Sequence, residues 1–276
     1  MRIRLAHSPD PDDAFMFYGL ASGAVDPGPY RFEHVLADIQ TLNERALLGE
    51  YEVTAISIHA YPYVREKYVL TACGSSMGDN YGPLLVSRTP LELDALRGRT
   101  IAVPGLRTTA YLVLQLALGR DGFRPEIVMF DQIPEAVAAS RVDAGLLIHE
   151  GQLTYRRYGL HPVLDLGAWW HERTGLPLPL GGNAVRRDLG LEQARAIARL
   201  IRASIQYGLD HRPEAVRYAL RFGRGLDETL ADRFVGMYVN AWTLDYGPRG
   251  REAVRRLLHE GTAAGLVPDA GSIEFV

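Results

Sequence analysis

The spacing of apolar and polar residues changes character along this chain. Up to about residue 149, short apolar runs alternate with stretches of helical period. "IRLAH" (3–7), "YRFEHVL" (30–36), "EVTAISI" (52–58), "YVLTAC" (68–73) and "GPLLVS" (82–87) read as strands. "DDAFMFYGLASG" (12–23) reads as a helix capped by Asp12 or Asp13 and stopped near Gly23. "DIQTLNERALLG" (38–49) puts Ile39, Leu42, Ala46 and Leu47 on one helical face and ends at Gly49. "AYPYVREKY" is a further candidate helix. The alternation continues with strands in "LRGRTIAVPG" (96–105), "EIVMF" (126–130) and "DAGLLIH" (143–149). Between them lie helices in "TTAYLVLQLALGRDG" (108–122) and "IPEAVAASRV" (133–142). From about residue 188 the pattern is helical, as in "GLEQARAIARLIRASIQYGLDH", where Ala194, Ile197, Ile201, Ile205 and Gly208 recur at helical spacing.

Strands alternating with helices predict an α/β fold with mostly parallel strands. Two such segments followed by a run of helices predict two lobes. Residues 1–88 and 180–276 form lobe 1, and residues 89–179 form lobe 2. The return crossing falls on "TGLPLPLGGNAV" (174–185), which is dense in Pro and Gly. Two crossings with a cleft between lobes is the periplasmic-binding-protein-like plan, with ligand reached by strand ends and helix N-termini.

Composition narrows the function. The chain has 276 residues, 47% hydrophobic, enough for a sizeable core. A net charge of −3 offers no basic face for nucleic acid. Cys73 is the sole cysteine, so no internal disulfide forms, and Cys/His zinc spacings are absent. The N-terminus lacks the apolar h-region of a secretory signal, and no apolar run approaches a membrane span. The expectation is a cytoplasmic protein that takes a small molecule, not nucleic acid or membrane. Oligomeric state is open.

Several stretches carry chemistry. Ala144–Ile148 reads as a buried parallel strand, and His149 follows at its C-terminal end, where such sheets meet ligands. A histidine there suits a general base, or simply packs and hydrogen-bonds. Glu150 either orients the ring or is solvated. In "VPGLRTTAYLVL", Thr108 or Thr109 is the N-cap of an apolar helix, whose free amides suit a carboxylate; a plain cap is the alternative. "HSPDPDDAF" (7–15) crowds His7, Ser8, Asp10, Asp12 and Asp13 at a strand-to-helix junction, as a turn with a helix cap or as a metal site. Ser57 in "TAISIHAY" is a hydrogen-bond donor; it lacks the elbow of a nucleophilic serine. "GSSMGDNYG" lacks the lysine of a nucleotide-binding P-loop. Trp169 and Trp170 either stack on a flat ring in the cleft or pack in the core.

Taken together, "TLNERALLGEYEVTAIS", "YGPLLVSR", "IAVPGLRTTAYLVL", "AGLLIHEGQLTYRRYGL" and "DLGAWWHERTGLPLPLGG" resemble the 1,4-dihydroxy-6-naphthoate synthase family of the futalosine route to menaquinone. The resemblance spans nearly the whole chain. It implies a two-lobe periplasmic-binding-protein-like fold of type II, with mixed sheets and a ligand cleft between lobes. It implies a carbon–carbon lyase acting on cyclic dehypoxanthine futalosine, with no metal or organic cofactor. It implies His149 as the catalytic residue. Ala55, Ile56, Ser57, Thr108, Thr109, Ser8 and Asn43 fall on substrate-binding positions, the threonines toward a carboxylate. The N-terminal motif departs from the family's S-P-C-P-N-D-T-F, with Asp10, Asp12 and Ala14 at the Cys, Asn and Thr positions. If they face the cleft, the added carboxylates make it less welcoming to an anion. A transporter's solute-binding protein, a chorismate dehydratase-like enzyme and a paralogue with another small anionic ligand are the rival readings.

Overall fold

A computed structural model describes Met1–Val276, arranged around two sheets. The first holds β1 (Arg2–His7), β2 (Arg31–Leu36), β3 (Val53–Ser57), β4 (Tyr68–Leu70) and β5 (Ser76–Gly78). The second holds β6 (Leu84–Ser87), β7 (Thr100–Val103), β8 (Arg124–Ile127), β9 (Ala144–Leu147) and β10 (His161–Asp165). The chain then returns to the first sheet as β11 (Leu178–Arg186).

Strand order is β2-β1-β3-β11-β4 in the first sheet, with β5 also on β11, and β10-β6-β9-β7-β8 in the second. The β1–β2, β1–β3, β7–β8 and β7–β9 pairs are parallel. β11 runs antiparallel to β3, β4 and β5, and β6 runs antiparallel to β9 and β10. The sheets are therefore mixed, for a topological reason. Strands joined by helical crossovers within a lobe are parallel, whereas the strand arriving from the other lobe enters reversed.

The lobe boundary shifts from the expected position. β6 pairs with β9 and β10, so the chain leaves the first sheet between Gly78 and Leu84, not near residue 88. It returns between Thr174 and Leu178, just ahead of residue 180. Apolar alternation marks "PLLVS" as a strand but cannot say which sheet claims it. The Pro/Gly-rich return forms a strand. It contributes nine residues of β11, and a register shift between Pro179 and Gly181 absorbs the proline. "GSSMGDNYG" likewise yields the short strand β5. The helix expected over residues 12–23 breaks at Phe17 into Pro11–Met16 and Tyr18–Ala21.

Helix Leu191–Asp210 buries Ala194, Ile197, Ile201, Ile205 and Gly208, the predicted face, against Phe15, Val53 and Val185. Helix Gly247–Ala263 inserts Val254, Leu257 and Leu258 into a core shared by Ile56 and Leu70 of one lobe and Leu112 and Leu114 of the other. Each such side chain contributes about 1.5–3 kcal/mol on burial, so this helix ties the lobes together beneath the cleft. No helix is long and apolar enough to cross a membrane.

Candidate active site

Between the sheets lies a cleft lined by residues of both lobes, the usual place for a small-molecule site in such a fold. Ser8, Ala55, Ile56, Ser57, Thr108, Thr109 and His149 all line it. Strand ends and a helix start bring them there, the arrangement that open α/β sheets use for ligands. Buried side-chain atoms without a hydrogen-bond partner include Ser8 Oγ, Asp12 Oδ1, His149 Nε2 and Asn183 Oδ1. All four residues border this cleft. Unpaired buried polar groups are rare and costly unless a ligand or water completes them.

His149 does not sit on a strand. β9 ends at Leu147, and His149 adopts φ +51°, a left-handed conformation that costs a non-glycine residue about 1–3 kcal/mol. Helix Gly151–Thr154 follows at once. The turn carries the imidazole across to the other lobe. There its Nδ1 lies 3.1 Å from Asp10 Oδ2, and its ring meets the edge of Phe130 with centroids 4.9 Å apart. Glu150 is buried and faces Arg224 at 3.6 Å, not the imidazole.

Asp10, not Asp12 or Asp13, caps helix Pro11–Met16, accepting the Asp13 N–H at 3.1 Å; the helix starts earlier than expected and takes both later aspartates into its first turn. Asp13 Oδ2 in turn accepts the Ser8 N–H at 2.7 Å, and Asp12 Oδ2 accepts the Ser76 hydroxyl at 2.9 Å. These three carboxyls are buried but do not carry three charges. Burial pushes Asp10 upward, yet the nearby His149 and the hydrogen bond from the Asp13 backbone outweigh it, leaving Asp10 below the ordinary carboxylate value. Burial and the charge of Asp10 hold both Asp12 and Asp13 well above it. Burial thus favours the protonated form of Asp12. The acidic motif adds much less negative charge to the cleft than its formula suggests.

Ligand atoms of Asp10, Asp12 and His149 lie within 4.8 Å of one another, close enough for a cation site. Their existing bonds compete with that use. Nδ1 and Oδ2 face each other, Asp10 Oδ1 caps a helix, and Asp12 Oδ2 accepts the Ser76 hydroxyl.

The opposite wall is helix Thr109–Leu118, capped by Thr108, whose Oγ1 receives the Tyr111 N–H at 3.3 Å. Thr108 also donates to the Gly105 carbonyl at 2.8 Å. Thr109 donates to the Leu180 carbonyl at 2.5 Å and accepts the His59 N–H at 3.2 Å. Both hydroxyls are thus engaged within the protein. The amides of Thr109 and Ala110 have no protein acceptor and are the donors left for a ligand. His59 buries its ring behind this wall, with Nδ1 3.0 Å from the Thr108 carbonyl; burial drives it down to about 4, so it is neutral.

Asn43 does not line the cleft. It is fully buried behind it, donating to Ser57 Oγ at 3.0 Å and to the Arg107 carbonyl at 3.2 Å, and accepting the Ser57 N–H at 2.8 Å. It locks β3 to the loop before Thr108 and leaves the Ser57 proton free to donate outward. A polar residue on the inner face of an amphipathic helix points to such a bracing role, but helical spacing does not separate bracing from ligand contact.

A family profile described as menaquinone biosynthesis matches residues 3–263. The chain belongs to that family. A Thermus thermophilus protein named 1,4-dihydroxy-6-naphthoate synthase is 47% identical over 99% of this chain and 99% of its own. A Streptomyces coelicolor protein of the same name is 42% identical over 98% of this chain and 96% of its own. A crystallised protein of Archaeoglobus fulgidus superposes with a TM-score of 0.92 at 48% identity, covering 96% of this chain and 98% of that one. The alkanesulfonate-binding protein of Xanthomonas axonopodis shares only the fold, with a TM-score of 0.73 at 11% identity over 99% of this chain and 96% of its own. The periplasmic-binding-protein-like plan therefore holds for this member of the menaquinone-biosynthesis family.

Sequence reasoning missed part of the cleft. Asn183, Gly74, Gln152 and Tyr238 also line it. Asn183 donates to the Gly74 carbonyl at 2.9 Å, and Gly74 has φ +73°, where a Cβ would lie 2.2 Å from the asparagine nitrogen. Tyr238 donates to Gln152 at 2.7 Å. An asparagine inside a buried strand was the one visible sign. The tryptophans do not stack in the cleft. Trp170 is fully buried, bonding the Pro177 carbonyl at 3.1 Å, and Trp169 packs under Arg173.

Proposed function

We propose that this enzyme breaks cyclic dehypoxanthine futalosine and releases 1,4-dihydroxy-6-naphthoate, a carbon–carbon lyase reaction on a route to menaquinone. The observation that carries the reading is the unpartnered Nε2 of His149 at a cleft whose far wall offers free helix-start amides. Relatives at 47% and 42% identity named for this activity support it. The solute-binding reading draws only on structures between 10% and 16% identical, which speak to fold.

In this reading the Thr109 and Ala110 amides receive the aromatic carboxylate of the substrate. Ser57, Ser8 and Asn183 meet its polar groups along the floor. His149 removes a proton from a substrate hydroxyl or carbon, which sets off carbon–carbon cleavage and aromatisation. Water exclusion by the two walls aligns the base with that proton. The reading assigns no metal or organic cofactor and places the enzyme in the cytoplasm.

The direct test is to incubate the purified protein with cyclic dehypoxanthine futalosine and follow the naphthoate by chromatography and mass. Product formation that disappears in His149→Asn supports the reading. A folded native protein that makes no product overturns it.

A further inference from the structure

We propose that Asp10 is the positioning residue of His149: its carboxylate accepts the Nδ1 proton, sets the tautomer of the ring, and leaves Nε2 as the nitrogen presented to the cleft. The proposal rests on the reading of His149 as the base.

Four observations carry it. Asp10 Oδ2 and His149 Nδ1 lie 3.1 Å apart across the two lobes, and Asp10 is 2% exposed. Nε2, on the other side of the ring, has no partner. Asp10 is itself fixed, because its other oxygen caps helix Pro11–Met16 and prolines flank it on both sides. His149 holds a positive φ that turns it toward this carboxylate. Helix capping alone does not account for the arrangement. A cap needs one acceptor oxygen, whereas here the second oxygen lies 3.1 Å from the imidazole Nδ1. Burial disfavours charge on Asp12 and Asp13, and of the three carboxyls Asp10, which faces the ring, is the one held below the ordinary carboxylate value.

The proton balance is simple. Nε2 takes a proton from the substrate while Nδ1 keeps its own. The imidazolium so formed lies against the Asp10 carboxylate, which offsets its charge. After product leaves, the proton on Nε2 passes to solvent. A carboxylate–imidazole pair of this kind is a known way to hold tautomer and orientation together.

The test is a mutant cycle on the full-length protein, with a spectroscopic arm. Asn caps a helix as well as Asp does, so Asp10→Asn keeps the fold and removes the charge. Turnover in Asp10→Asn is expected to fall by about 10²–10⁴-fold, with KM within about threefold. In a His149→Asn background the same change is expected to cost less than about twofold, because Asp10 acts through the ring. Imidazole NMR of isotope-labelled native enzyme is expected to show the Nδ1–H tautomer. Native turnover in a folded Asp10→Asn, alongside a dead His149→Asn, would overturn the positioning role and leave the base intact. Native turnover in His149→Asn would remove both. Activity lost to a chelator and restored by a divalent cation would make Asp10 a metal ligand and overturn the proposal. Should Asp10→Asn fail to fold, the native tautomer decides, and an Nε2–H ring would overturn it.

Discussion

The two walls of the cleft solve the same problem in opposite ways. At the His149 wall, Ser8 Oγ, Asp12 Oδ1 and His149 Nε2 are buried without partners. At the Thr108–Thr109 wall, every side-chain hydroxyl is already committed to the protein, and only backbone amides remain free. The first wall holds titratable groups. The second offers fixed backbone dipoles that do not titrate. The difference teaches that threonines at a helix start need not touch ligand to build its site.

The comparison breaks first at His149. His149→Asn should lower turnover by about 10²–10⁴-fold with little change in substrate affinity, read by steady-state kinetics and calorimetric binding. Equal losses in both would move the ring to the binding wall. Next comes Thr109→Val. It leaves the buried Leu180 carbonyl and the His59 N–H unpaired, and should cost about 1–3 kcal/mol of stability in urea denaturation. A weaker substrate affinity with nearly native turnover at saturation should accompany it.

Buried ionisable groups sharpen the contrast through pH. Behind the Thr108–Thr109 wall, His59 is driven down to about 4, and His7 beside Ser8 is likewise lowered to about 4, both chiefly by burial. The unfolded chain binds those protons first, near 6.5. Their contribution is present above pH ~6.5 and is lost as pH falls toward ~4, by up to about 3 kcal/mol each. Thermal melts across that window should show it, and His59→Gln should flatten it. Asp12 has the opposite sign. Burial, with the charges of Asp10 and Asp13, raises it, so the folded state keeps a proton that the unfolded chain releases near pH ~3.9. Stability through this group is full in acid and declines as pH rises toward the folded value. Asp12→Asn, an isostere of the acid, should therefore melt higher than the native protein at neutral pH and close the gap in acid. This is the smallest effect, because Asp10 and its partners remain.

Much of this was legible before any coordinates. The period of apolar residues assigned helix Leu191–Asp210 to its buried face, and Gly49 marked the end of helix Ile39–Leu48. The histidine after an apolar strand, the paired threonines before an apolar helix and Ser57 at a strand tip all reach the cleft. Such features are local, because propensity, capping and periodicity act within a few residues.

What the chain alone did not disclose is pairing across lobes. β6 joined the second sheet, and the Pro/Gly-rich return became β11, because partners distant in sequence supplied their hydrogen bonds. Asn43 went behind the wall rather than onto it, Trp170 went into the core, and Trp169 lies partly buried against it. The acidic motif could be read as a turn with a cap, but its neighbours marked neither Asp10 as that cap nor Asp10 as the partner of a histidine far along the chain. Its charge was equally hidden. Burial and mutual repulsion decide which of three carboxyls ionises, and both depend on tertiary distance, which periodicity does not encode.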